Sequence, residues 1–75
     1  MTWKVFLYGI QWDDGKGEYD VSDLPENLCV EISDNVDDGR YADSKEEAIV
    51  LALDEATDEY DTLIEGTEQI NVKRT

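Results

Sequence analysis

The chain contains no histidine and a single cysteine, Cys29. Without an imidazole, no side chain is poised by its ordinary pKa for acid–base work near neutral pH. One thiol excludes an intrachain disulfide, and one cysteine without histidine leaves too few soft ligands for a zinc site. A lone thiol also fits a reducing compartment. Basic residues are scarce: six lysines and arginines face twenty aspartates and glutamates, a net charge of −14. Such a surface repels bare DNA, RNA and anionic membranes, so neither direct nucleic-acid binding nor a membrane partner is expected. Proline occurs once, and no hydrophobic run is long enough to span a bilayer. The apolar opening MTWKVFLYGIQWDD lacks the basic segment of a signal peptide and reads as part of the fold. A cytoplasmic location is the resulting expectation.

What is present suffices for one small core. The 75 residues are 40% hydrophobic, which predicts a single domain over 1–75 of modest stability. The clearest element is the stretch from Ser44 to Tyr60, SKEEAIVLALDEATDEY. Ser44 with Glu47 three residues on reads as a helix-opening capping box. Ile49, Ala52, Leu53, Ala56 and Tyr60 recur at helical spacing and form one apolar stripe. Glu47, Asp54, Asp58 and Asp61 recur on the other side, flanked by Glu46, Glu55 and Glu59.

The rest of the chain reads as strands and turns. Thr2 to Trp12 is rich in aromatic and β-branched residues and predicts a strand. Trp3, Val5 and Leu7 point to one side of it, and Phe6, Tyr8, Ile10 and Trp12 to the other. Apolar groups on both faces predict a central position, and Gly9 marks a bulge or a close approach. Asp13 to Gly17 is a turn, and Glu18 to Val21 is a candidate return strand. Pro25 then breaks regular structure. Leu28, Val30 and Ile32 alternate with Cys29, Glu31 and Ser33, a half-buried strand. The polar stretch Asp34 to Asp43 leads to the helix. Beyond it, Leu63 and Ile64 either end the helix or begin a strand, and Gly66 is a C-cap or a bulge. Thr67 to Arg74 predicts a final strand with Ile70 and Val72 inward.

The acidic loops invite a test for metal. A calcium loop with Gly39 at its sixth position has Val36 at the third and Lys45 at the twelfth, where carboxylates are needed, so no metal site is expected. No nucleophile–base pair or phosphate-cradling glycine motif appears, so the chain reads as a non-enzyme without cofactors. Most aromatics belong to the core. Trp12, Tyr19 and Tyr41 stand beside turns and loops and are the candidate exposed anchors, because Trp and Tyr are enriched at binding hot spots. On the helix, Asp54/Asp58 and Glu55/Glu59 are like-charge neighbours, which costs stability. Rows of carboxylates at this spacing can occupy a groove built for phosphates. The candidate partner-binding set is therefore Glu47, Asp54, Glu55, Asp58, Glu59, Asp61, Asp37, Asp38, Trp12 and Tyr41. The competing reading is a solvated face whose acidity serves solubility or life in high salt.

The opening KVFLYGIQWD, the DLP turn and the VEI strand resemble small acidic orphan proteins of phages and mobile elements of Gram-positive bacteria. In size, charge and α+β pattern the chain also looks like phage-encoded inhibitors, including anti-CRISPR and anti-restriction proteins that mimic DNA. That likeness implies a non-enzymatic inhibitor that binds the basic surface of a nucleic-acid-binding protein. The alternative is an accessory interaction module that uses an aromatic or apolar patch. The expected fold is α+β: a small, mainly antiparallel sheet of three to four strands with one helix packed on one face.

Overall fold

The computed structural model describes residues 1–17 and 20–75. The elements run β1 (Thr2–Tyr8), β2 (Gln11–Trp12), β3 (Leu28–Ser33), α1 (Lys45–Tyr60), β4 (Ile64–Gly66) and β5 (Gln69–Arg74). Strands β3, β1 and β5 form an antiparallel sheet in that order, and α1 packs on one face of it. The α+β class and the central place of β1 are as the sequence predicts.

The register explains the core. Val5 lies between Val30 and Val72, and Leu7 between Leu28 and Ile70. These rows face the helix. Val5 and Leu7 are fully buried, and Ile32 is 2% exposed. Each such side chain contributes roughly 1.5–3 kcal/mol over an exposed one. The helix meets the sheet through Ala48, Ala52 and Ala56, all at 0% exposure. The buried stripe is therefore centred on small residues four apart. Ile49, Leu53 and Tyr60 lie along one flank, and Leu51 lies on the other. Small side chains along the seam let the helix backbone approach the strands closely.

The first strand is shorter than predicted. Gly9, at φ +61°, ends β1 in a conformation that side chains other than glycine rarely adopt. Asn27 Oδ1 accepts the Gly9 N–H at 3.2 Å, and the Glu68 N–H reaches the carbonyl oxygens of Tyr8 and Gly9. A Cβ at Gly9 would lie 2.6 Å from Glu68 Cγ. The break re-aims the chain, so Ile10 and Trp12 join the core that Val5 and Leu7 occupy, where simple alternation puts them on the opposite face. Beyond the break, β2 pairs with β4 in a separate two-stranded sheet. Gln11 faces Gly66 while Trp12 faces Ile64, so Glu65 is an extra residue in that ladder.

Other boundaries also moved. Of the proposed return strand, Glu18 and Tyr19 lie outside the described residues, and Asp20 and Val21 form no strand. Asp13 Oδ1 accepts the Gly15 N–H at 2.9 Å, and a 3-10 turn over Gly15–Gly17 follows. The final strand begins at Gln69, two residues later than expected. Ile64 opens a strand, which leaves Leu63 62% exposed.

The helix start matches the capping box. Ser44 accepts from the Glu47 N–H at 3.2 Å, and Glu47 Oε2 accepts from the Asp43 N–H at 2.9 Å. The helix ends at Asp61 and not at Gly66. Asp61 adopts φ 51° and ψ 36°, and its N–H donates to the Thr57 carbonyl. An aspartate here holds a left-handed conformation beside the negative end of the helix dipole. Asp61→Gly is expected to raise stability by about 1 kcal/mol, read as an upward shift of the urea midpoint. An unchanged or lowered midpoint would show that the Asp61 side chain carries a compensating contact.

Candidate functional site

The outer surface of α1 is built by subtraction. At about 100° per residue, positions opposite the alanine seam fall at Glu47, Val50, Asp54, Asp58 and Asp61. Asp54, Asp58, Glu59 and Asp61 are exposed, as are Glu46 and Glu47, while Glu55 is half-buried. The last turn contains no basic residue. Acids there oppose the helix dipole, whose C-terminal end is already negative.

Among the described residues, one basic side chain pairs with acids of this surface. Arg40 donates to Asp54 through Nη2, and its Nε lies 4.0 Å from Glu55 Oε1. The Asp54/Asp58 and Glu55/Glu59 repulsion predicted from spacing is therefore relieved at its N-terminal members. Both pairs are exposed, so their net stabilisation is small. Among the described residues, no basic group pairs with Asp58, Glu59 or Asp61. Glu46 and Glu47 have no basic partner among these residues either, but the dipole favours acids in the first turn, so the charge that neither a cation nor the dipole offsets lies in the last turn.

The loop before the helix is tied back to the sheet. Tyr41 forms a bridge with Ser33, and the Ala42 N–H donates to the Ser33 carbonyl at 2.9 Å. Trp3 Nε1 donates to the Ala42 carbonyl at 3.0 Å. The Ser33 hydroxyl donates to Asp38 Oδ2. Asp37 is exposed, and its own N–H is accepted by Asn35 Oδ1 at 3.0 Å. The acid Asp34, at the start of this loop, is paired locally. It accepts from Arg74 Nε at 3.0 Å and lies 3.7 Å from the N-terminal amine. The Arg74 guanidinium also sits 5.0 Å from the Trp3 ring centroid. In the preceding loop, the Ser22 hydroxyl and backbone N–H hold the Asp20 carboxyl below its usual range.

Among the described residues, depressions flank the helix on two sides. One, of about 400 Å³, is lined by Tyr41, Val50 and Leu51 with Glu46 and Glu47. The other, of about 340 Å³, lies between Leu53, Asp54 and Thr57 of the helix and Leu63 to Thr67. Tyr41 and Glu47 of the predicted set are thus brought together, and Asp54 and Glu55 meet around Arg40. Val50 and Leu51 were missed. Val50 has a sequence signal, an apolar residue set among acids off the buried stripe, and it is 65% exposed. The Arg40 contact has none, since its partner lies fourteen residues away.

Trp12 is a correction. It is 8% exposed, its Nε1 donates to the Pro25 carbonyl at 2.8 Å, and its ring meets Tyr60 edge-on at 5.3 Å. The backbone turn at Gly9 carried it inward, so it is a core residue and no surface anchor. Tyr19, the third candidate anchor, lies outside the described residues.

On the sheet face away from the helix, Phe6 and Tyr8 stack with centroids 6.4 Å apart. Lys4 and Lys73 are register partners there, and Lys4 Nζ lies 3.9 Å from Glu31 Oε1. Among the described residues, no three acidic or thiol groups converge into a metal-holding cluster, and no helix is long and apolar enough to cross a membrane. No family model, curated protein or solved structure matches this chain.

Proposed function

We propose that this chain is a non-enzymatic binding protein that presents the outer face of α1 to a basic protein surface. The observation that carries this reading is the last turn of the helix. Asp58, Glu59 and Asp61 stand exposed where the dipole disfavours acids, with no basic residue in that turn and, among the described residues, no ion pair to any of them. A sequence shaped for stability alone would place lysine or arginine there. Surfaces that break a local rule without local compensation are candidate functional surfaces. Carboxylates in a row on a rigid helix can take the place of phosphates, so the partner class this reading favours is a nucleic-acid-binding protein, with the chain acting as an inhibitor by mimicry. The negative net charge argues against nucleic acid itself as the ligand, and a cytoplasmic site of action goes with that partner class.

A second reading rests on the uncovered sheet face, where the Phe6–Tyr8 stack offers an aromatic patch to a partner bound without charge. Salt separates the two, because charge-read binding weakens as salt rises while apolar binding persists.

The test uses a fluorescent (Gly-Arg-Gly)3 peptide as the basic probe. Asp54→Asn, Asp58→Asn and Asp61→Asn combined should weaken its binding about tenfold or more, since charge-assisted contacts are the strong ones. The fold should survive, because like-charge neighbours are removed and Arg40 keeps Glu55. The control is Asp23→Asn, Glu26→Gln and Glu31→Gln, three exposed acids away from the helix. If that control loses as much affinity as the helix variant, net charge and not this face binds the peptide.

A further inference from the structure

We infer that the depression beside the N-terminal half of α1 is a seat for one arginine side chain of the basic partner, gripped by its stem as well as its charge. This inference rests on the reading of α1 as a face for basic proteins and adds a point of anchorage to it. The depression measures about 400 Å³, and its lining is largely apolar: Tyr41, Val50 and Leu51, with Glu46 and Glu47 as the acidic members.

The construction is specific. The backbone of Tyr41 is tied to Ser33 by a bridge, so the wall that carries this residue is anchored to the sheet. Leu51 and Val50 form the helix side. Val50 is 65% exposed on a helix whose other outward positions are almost all polar. Nothing in the core requires an apolar residue at that position. One carboxylate oxygen of Glu47, Oε2, is held by the Asp43 N–H, which orients the group. Glu46 has no hydrogen-bond or ion-pair partner among the described residues.

Charge and shape together select the occupant. A plain hydrophobic side chain would fill the apolar floor but leave two carboxylates desolvated at its edge, which is costly. A short cation would satisfy the carboxylates but leave the floor wet. A long basic side chain satisfies both, since its methylene stem lies on apolar surface while its head stays polar. Arginine suits the site best, because its flat guanidinium meets carboxylates with paired donors and also associates with aromatic rings. A chain of net charge −14 draws such a partner toward it.

The experiment compares two peptides on the intact chain. One is (Gly-Arg-Gly)3. The other carries 2-amino-3-guanidinopropionate in place of arginine, the same head on a stem two methylenes shorter. The arginine peptide should bind about fivefold tighter, as expected for partial burial of two extra methylenes. Val50→Ser should reduce that preference to less than about twofold, while Glu46→Gln should weaken both peptides equally and leave the ratio intact. Circular dichroism confirms that the variants fold. Should Val50→Ser fail to fold, the two-peptide ratio on the parent chain and on Glu46→Gln still decides. Equal affinity for the two peptides, or a ratio indifferent to Val50→Ser, would overturn the arginine seat while the acidic face stands. Binding of neither peptide by the parent chain would overturn both.

Discussion

Trp12→Ala should remove a large part of the protein's stability. The indole is 8% exposed, packs edge-on against Tyr60 and donates to the Pro25 carbonyl. Removing it leaves a large cavity, an unpartnered carbonyl and a helix end without its aromatic neighbour. Tryptophan-to-alanine changes in cores cost about 3–5 kcal/mol. A chain of this length has only about 4–11 kcal/mol in total, at 0.05–0.15 kcal/mol per residue. The loss should appear as a collapsed urea midpoint and a flattened near-ultraviolet spectrum. Loss of partner binding in this variant would report loss of fold and not loss of a contact. A urea midpoint equal to that of the parent would mean that Tyr60 and the Gly9 break hold the β2–β4 end without the indole.

Ala52→Leu should be the next most damaging single change. Ala52 is fully buried at the middle of the helix–sheet seam, opposite the Val5 and Leu7 rows. Three added heavy atoms have no room there, and overpacking of this kind costs about 1–3 kcal/mol. Helix propensity cannot offset the loss, since leucine and alanine differ little in it. The effect reaches function because α1 carries the acidic face and one wall of the apolar depression. A helix lifted from the sheet changes the distance between Val50 and the fixed Tyr41. The expected observation is a lowered midpoint together with weaker (Gly-Arg-Gly)3 binding in the fraction that remains folded. A midpoint equal to that of the parent would show that the seam has slack the packing does not reveal.

Both expectations depend on features of unequal visibility in the sequence. The helix was legible from both of its signals, the cap at Ser44 and the period of its apolar residues. Both are local, since a capping box spans three residues and a helical face repeats every three or four. The centre of the buried stripe was less legible, because hydrophobic size draws attention to Ile49 and Leu53 while the fully buried positions are alanines. Strand β3 was legible for the same local reason, through strict alternation over six residues. The central position of β1 followed from its apolar residues on both faces.

The acidity of the outer helix face was fixed by the residues alone, as were the lack of histidine and the single cysteine. Chain distance hid the rest. Asp54 finds Arg40, Asp34 finds Arg74, and Tyr41 finds Ser33 across separations that no local pattern encodes. A single dihedral at Gly9 reversed the assignment of Trp12, because the side chain's face depends on an unbroken alternation that one positive φ interrupts. The apolar depression beside Glu46 and Glu47 forms where a loop residue bridged to β3, Tyr41, stands next to the helix. Composition decided which charges this surface could carry, and the packing of α1 on the sheet decided which of them stand exposed and which lie beside the apolar depression.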